Sequence, residues 1–225
     1  MIFGRVLDPS TETSGLVRSE VFAAFQRLYD DVADVQQILL DGERTSARLV
    51  VNPARVVVEE TRRSFAYLSL YGVATDAVLI NRVLPKNAAG GYFAHWAERE
   101  RTELSEIEQS FPVPRFSAAL RPTEPIGIPA LRSLARELYG SRDPADMFSR
   151  SRPIRLEKRD GRTVLEVDLP NASPGDVDVA AHGSELLIRM RDVQRRISLP
   201  ASLVGLPLAG VTLEKGVLEI TFAPS

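Results

Sequence analysis

Asn81, in the segment VLINRVLP, and Pro122, Thr123 and Glu124, in the loop RPTEPIG, are the residues whose types and places could do chemistry. The run from Leu49 to Gly127 reads strand–helix–strand–helix–strand, and these residues fall at the ends of its second and third strands. In a parallel α/β sheet, ligands bind outside the carboxyl ends of the strands. A carboxamide offers both donor and acceptor, which suits the edge of an adenine ring. The proline-containing loop would stand beside it and add backbone groups and shape. The plainer alternative is an amide that caps its own strand end. A phosphate-gripping side does not accompany this adenine-like side. No GxxxxGK[ST] and no Gly-Lys pair occurs, and the only lysines are Lys86, Lys158 and Lys215. The pattern therefore reads as part of an ATPase, or a former one.

Composition narrows the chemistry further. A chain of 225 residues can form one large or two small domains with real cores. Its 44% hydrophobic and 26% charged content are ordinary for a globular protein. A formal net charge of −2 gives no broad attraction to nucleic acid or anionic membrane, so nucleic acid is not an expected partner. The absence of cysteine excludes disulfides, thiolate metal sites and cysteine nucleophiles. His95 and His182 lie far apart in sequence, and no metal ligand or catalytic side chain is assigned. The start, MIFGRVLDPSTET, lacks the apolar core of a signal peptide. No stretch approaches the ~18 apolar residues of a membrane span, so a soluble, cytoplasmic protein is expected.

Periodicity supplies the elements that must position these residues. Ser19 to Leu40 is an amphipathic helix with Phe25, Leu28, Val32, Val35 and Leu39 on one face, stopped by Asp41-Gly42. It reads as a packed helix, with partner binding or coiled-coil pairing as the alternative. ARLVV (47–51) has the continuous apolar run of a buried parallel strand. Asn52 and Pro53 read as N-cap and first position of a helix that runs to about Tyr71. DAVLINRV (76–83) is a second buried strand, 85–91 a loop, and 92–110 a helix with Phe93, Trp96, Leu104, Ile107 and Phe111 toward one face. RFSAAL (115–120) is a third strand, followed by a helix over 128–139 with Leu131, Leu134, Ala135 and Leu138 inward and Gly140 as its stop. Three strands make a thin sheet whose edge needs partners.

The polar, Pro-containing segment 141–153 breaks this pattern and reads as a linker. After it the period becomes two. Leu165, Val167 and Leu169 alternate with Val164, Glu166 and Asp168, and Asp160-Gly161 signals a hairpin. In GVLEITF, Leu218, Ile220 and Phe222 face one way. About seven short strands predict a β-sandwich.

Two resemblances follow. Glu60-Thr61-Arg62-Arg63, Val78-Leu79-Ile80-Asn81 and Pro122-Thr-Glu-Pro-Ile-Gly127, in that order, make the segment from Val21 to Tyr139 similar to the C-terminal half of ArsA-type ATPases. That family includes arsenite-pump ATPases and the ATPases that target tail-anchored proteins. DGRTVLEVDLPNASPGDVDVAAHGSELLIRM and LEKGVLEITF make Pro153 to Phe222 resemble the α-crystallin domain of small heat-shock proteins. In that sandwich the strand-exchange loop has no room between Arg191 and Arg195, and the Ile-x-Ile tail motif is absent, so large oligomers are not expected. A fusion of the two modules is a known bacterial arrangement.

The resemblances imply a partial, P-loop-NTPase-like α/β fold, with helices layered on a parallel sheet, followed by an all-β α-crystallin-like sandwich. The implied boundaries are 1–140 for the ATPase-type part (helical segment 16–40, α/β segment 47–140), 141–152 for the linker and 153–225 for the sandwich. They also imply that Asn81, Pro122, Thr123 and Glu124 hold the adenine of ATP, weakly or with a partner half, with magnesium bound only alongside that half. Implied partners are an N-terminal ATPase half or a second copy, and a hydrophobic protein client or a membrane-pump subunit. Tyr92-Phe93-Ala94-His95 stands where targeting members carry a zinc-binding Cys-x-x-Cys, and cannot reproduce that site. Glu60 and Arg63 read as an exposed helical ion pair. The non-enzymatic alternative is a chaperone-like or interaction module on a relic nucleotide fold.

Overall fold

The computed structural model describes residues 19–88 and 91–224; the signal-peptide reading of the first 13 residues and positions 16–18 of the expected helical segment lie outside them. The chain divides into a unit ending at Ile38 and a unit from Leu39 onward. In the first, α1 (Ser19–Leu40) forms as expected from its three- and four-residue apolar spacing.

The second unit begins with a parallel sheet of order β1-β2-β3, built from β1 (Ala47–Val51), β2 (Thr75–Val83) and β3 (Arg115–Ala119). Helix α2 (Arg55–Leu70) connects β1 to β2, α3 (Ala94–Ser110) connects β2 to β3, and α4 (Ile128–Tyr139) follows β3. One face of the sheet packs Val51, Val78 and Ile80 against Val58 and Phe65 of α2 and Ile107 of α3. Leu79 and Phe116 are register partners on the opposite face, where the Phe116 ring meets Tyr139 of α4 at 5.3 Å. Helices thus cover both faces, the three-layer plan expected of alternating strands and helices.

Local details differ from the sequence reading. Helix α2 starts at Arg55, because Asn52-Pro53 forms a bend in which the Ala54 N–H donates to the Asn52 carbonyl at 2.7 Å. Strand β1 is not uniformly buried: Val51 is 0% exposed but Val50 is 58% exposed. Phe93 and Trp96 lie at the open start of α3, and Leu131 on α4 is exposed, so none of the three faces inward. Helical spacing places residues on a face; it does not tell how far the neighbouring layer extends over it.

The remainder is a sandwich of seven strands: a sheet of order β4-β5-β10-β9 against one of order β6-β7-β8. The strands are β4 (Ile154–Arg159), β5 (Arg162–Asp168), β6 (Val177–His182), β7 (Glu185–Met190), β8 (Val193–Ser198), β9 (Leu208–Glu214) and β10 (Val217–Phe222). Asp160 and Gly161 both take positive φ, 51° and 76°, the backbone of a tight two-residue hairpin turn. Leu165, Val167, Leu169, Leu186, Ile188, Leu218, Ile220 and Phe222 fill the core. Helix α2 joins the same core through Ala66 and Leu70, so the sandwich is seated on the α/β part.

Residues 141–152 between the two parts are tied down. The carboxylate of Asp76, 0% exposed, accepts hydrogen bonds from the Arg48 guanidinium and, at 3.1 Å, from the Phe148 N–H. Arg48 also donates to the carbonyls of Pro144 and Asp146 at 2.6 and 2.7 Å, and its guanidinium lies 4.5 Å from the centre of the Phe148 ring. The guanidinium meets acceptors in the plane and an aromatic face above it, a pairing lysine could not reproduce.

Candidate functional site at the strand ends

Parallel pairing brings the carboxyl ends of β2 and β3 side by side, with Val83 in register with Ala119 and the Leu120 N–H donating to the Val83 carbonyl at 2.7 Å. The register shifts between Ile80 and Val83, and Arg82 takes a φ of 59°. Asn81 therefore sits in a bulge, a feature that re-aims a side chain. It is half-buried, and among the described residues its amide makes no hydrogen bond within the protein.

The surroundings of Asn81 are more fully bonded. The Glu100 carboxylate of α3 accepts the Leu84 N–H at 2.9 and 3.1 Å. Glu137 of α4 accepts the Ala119 N–H at 2.7 Å and pairs with Arg121. Two helix carboxylates thus terminate the two strands, satisfying backbone donors that a sheet end leaves free. Sequence reading missed both glutamates, because each lies on a helix 16 to 18 residues from the N–H it bonds. Beyond Arg121, Pro122, Thr123 and Glu124 are exposed. The Ile126 N–H closes a turn on the Glu124 carbonyl at 3.0 Å. Gly127, φ 83°, then opens α4 in a backbone region that other residues enter only with strain.

The Glu60–Arg63 segment lies on α2. The Glu60–Arg63 pair measures 3.4 Å with both partners well exposed, which matches the ion-pair reading. Arg62 instead reaches α3, donating to Ser110 Oγ at 2.7 Å and pairing with Glu106. Both histidines, His95 on α3 and His182 on β6, are exposed. Among the described residues no group of three or more His, Cys, Asp or Glu is placed to hold a metal ion, and no helix is long and apolar enough to cross a membrane.

Residues 3–140 match the family model for anion-transporting ATPases. The chain belongs to the ArsA ATPase family. Residues 160–222 match a second model, the HSP20-like domain found in ArsA, so the α-crystallin-like sandwich is a recurrent part of such proteins. The chain is 31% identical over 204 residues to a "Putative arsenical pump-driving ATPase" of Prosthecochloris vibrioformis, across 90% of this chain and 50% of that protein. It is 30% identical to the protein of the same name in Chlorobaculum tepidum, again across 90% and 50%. The chain spans about half the length of the curated relatives it matches. Among solved structures, the hspA of Xanthomonas axonopodis is similar to the sandwich, at 24% identity, with 32% of this chain and 90% of that one covered and a TM-score of 0.25.

Within this ArsA family member, the strand-end residues can do limited chemistry. Among the described residues the Asn81 amide leaves its donor and acceptor unengaged, and the 122–124 loop presents an exposed proline beside it. This suits recognition of a planar, hydrogen-bonding ring. The carboxylates of Glu100 and Glu137 accept backbone N–H groups at the strand ends.

Proposed function

We propose that this chain supplies the adenine side of an ArsA-type ATPase, with an α-crystallin-like module at 153–225 and a connecting segment at 141–152, and that it does not hydrolyse ATP alone. The observation that carries the reading is the half-buried amide of Asn81, without a hydrogen-bond partner among the described residues and at the carboxyl end of β2, which adjoins the strand that leads into the Pro122–Glu124 loop. Asn81 would read the adenine edge, and Pro122, Thr123 and Glu124 would wall the ring. The triphosphate and its magnesium would be held by a phosphate-loop half, since phosphoryl transfer runs on cradling amides, a lysine and the metal. Residues 1–140 form the ATPase-type part in this reading. The protein works in the cytoplasm on a hydrophobic client or with a membrane-pump subunit, with a second copy as a further partner, and without nucleic acid.

Titration calorimetry with ATP tests the proposal. The expected result is weak binding that does not depend on magnesium, together with no ATP turnover. Tight magnesium-dependent binding, or robust hydrolysis by the purified chain, overturns it.

One observation favours a second, non-enzymatic reading. The sandwich is the most complete part of the chain, and β6 and β9 stand at the open ends of its two sheets, where an extended segment of a client could add. In that reading the α/β part is a relic scaffold. An aggregation assay decides: if the whole chain leaves a heat-aggregating substrate unprotected, the chaperone-like reading fails.

A further inference from the structure

Strand β8 carries an arginine where its own alternation asks for an apolar residue. In its sequence, Val-Gln-Arg-Arg-Ile-Ser, residues 193, 195 and 197 share one face. Val193 and Ile197 pack against the sandwich core, and the three stand opposite the buried Met190, Ile188 and Leu186 of β7. Arg195 is half-buried between them. An arginine stem can lie along such apolar surface while its charged head reaches beyond it. Among the described residues the Arg195 guanidinium meets no carboxylate, and its Nε, shielded from solvent, has no hydrogen-bond partner. Other arginines of the sandwich are engaged: Arg155 with Glu166 and Asp168, and Arg191 with Asp176.

Arg195 lines a cavity of about 220 Å³. The cavity includes Ala74, which precedes β2, so it stands at the opposite end of that strand from Asn81. Tyr71, the C-cap of α2, gives one wall: the Arg195 guanidinium lies 5.5 Å from the centre of its ring, and the Tyr71 hydroxyl donates to the Gln194 carbonyl at 3.4 Å. Ala74, Pro153 and Ile154 make apolar walls, and Arg152 adds a second guanidinium. Arg152 meets Glu43 only at 4.0 Å, while Arg150 holds that carboxylate at 3.2 Å. Among the described residues the cavity is thus lined by two arginines and no carboxylate. The contact with the Tyr71 ring uses the charge of Arg195 but none of its five donors. A guanidinium stays charged at any working pH, so its partial burial without a partner costs free energy that a bound anion recovers.

We infer that this cavity binds a carboxylate carried on a short apolar body, with Arg195 and Arg152 holding the carboxylate and the Tyr71, Pro153 and Ile154 walls holding the body. The planar fork of a guanidinium matches a carboxylate in two parallel hydrogen bonds. The mainly apolar walls favour an anion with a hydrocarbon part over a bare, strongly hydrated oxyanion. A free branched-chain acid and the C-terminus of a chain ending in an apolar residue share this chemistry. The inference is independent of the adenine-side reading, since no residue of that site lines this cavity. Tyr71 belongs to α2 of the α/β part and Arg195 to the sandwich, so a ligand here would touch both.

The test titrates the full, nitrogen-labelled chain with isocaproate, with isocaproamide, with inorganic phosphate and with the tripeptide Gly-Gly-Leu bearing a free carboxylate. The readout is the Nε–H NMR signal of Arg195, assigned by its loss in Arg195→Met. Isocaproate is expected to shift that signal with a Kd of about 1 mM or tighter, as suits a ligand of so few atoms. The amide and phosphate should bind about tenfold more weakly or worse, and Arg195→Met should weaken isocaproate by a similar factor. Arg152→Ala should weaken it about threefold, because that side chain is more exposed. The tripeptide arm separates the sources: tighter binding than isocaproate assigns the site to a chain terminus, and weaker binding assigns it to a free acid. An unmoved Arg195 signal overturns the inference and leaves Arg195 as a brace for Tyr71. Amide binding equal to the acid, phosphate binding equal to it, or undiminished binding in Arg195→Met overturns it as well. Should Arg195→Met fail to fold, Arg195→Lys, which keeps the charge and loses the fork, takes its place with the same expected loss.

Discussion

The hydroxyl of Tyr67, on α2, donates a 2.7 Å hydrogen bond to Asp192 in the turn between β7 and β8. This contact spans 125 residues and stands at the rim of the junction where Ala66 and Leu70 enter the sandwich core. Asn171, in the loop after β5, reaches back in the same way, donating to the Ser110 carbonyl at 3.1 Å. The crossover helix of the α/β part is therefore shared. Val58 and Phe65 serve one core, Ala66 and Leu70 the other.

Because the cores share a helix, they should unfold together. Leu70→Ala, at a position 0% exposed, is expected to cost about 3 kcal/mol. It should lower a single thermal transition followed by tryptophan fluorescence, from Trp96 in the α/β part, and by far-ultraviolet circular dichroism, which includes the sandwich strands. Two separated transitions in the unsubstituted chain would count against the shared core. Tyr67→Phe should cost far less, since its partner Asp192 is exposed and water can replace the hydroxyl.

Arg48 and Asp76 form a half-buried pair whose loss is asymmetric. Arg48→Ala leaves a fully buried carboxylate with only the Phe148 N–H and should destabilise by about 3 kcal/mol. It should also free residues 144–148, read as faster hydrogen exchange at Phe148. Arg48→Lys should recover little, because an ammonium cannot serve the carboxylate, two carbonyls and the ring at once.

Asn81→Ala is expected to leave thermal stability nearly unchanged, because the amide has no hydrogen-bond partner among the described residues. If Asn81 reads adenine, ATP binding should fall about fivefold, the worth of roughly one hydrogen bond. Calorimetry on the two proteins checks this, and an unchanged affinity would remove Asn81 from the site.

Acid should destabilise the sandwich through Glu166. Hydrogen bonds from Arg159 and then Arg155 hold its carboxyl below the ordinary glutamate range. A carboxyl with a lowered folded-state pKa stabilises the fold above its unfolded value and loses that contribution as pH falls through the folded value. Asp176, held down by Arg191 and the Ser173 N–H, acts in the same direction. Melting temperature should therefore be flat toward neutrality and fall below the ordinary carboxylate range. Glu166→Gln should make the acid-side fall shallower, as followed by circular dichroism melts at successive pH values.

The sequence by itself determined the element types, the change of period at the 141–153 segment and the turns such as Asp160-Gly161, because these follow from local periodicity and backbone preference. Alternating strands and helices also made parallel pairing the expected plan, whereas the structure decided that β2 and β3 are neighbours, which brings Asn81 and the Pro122 loop to adjoining strand ends. Tertiary structure alone decided what each face meets. No local pattern distinguishes Ala66 and Leu70, which serve the sandwich, from Val58 and Phe65 on the same helix. Nothing in Ala-Arg-Leu-Val-Val says that it lies at an edge with Val50 uncovered. Nor does the sequence pair Arg48 with Asp76, 28 residues away, or Glu100 and Glu137 with the strand ends they close. Burial and long-range hydrogen bonding depend on which surfaces remain after every element has packed, and that is a property of the whole assembly of elements, not of any one of them.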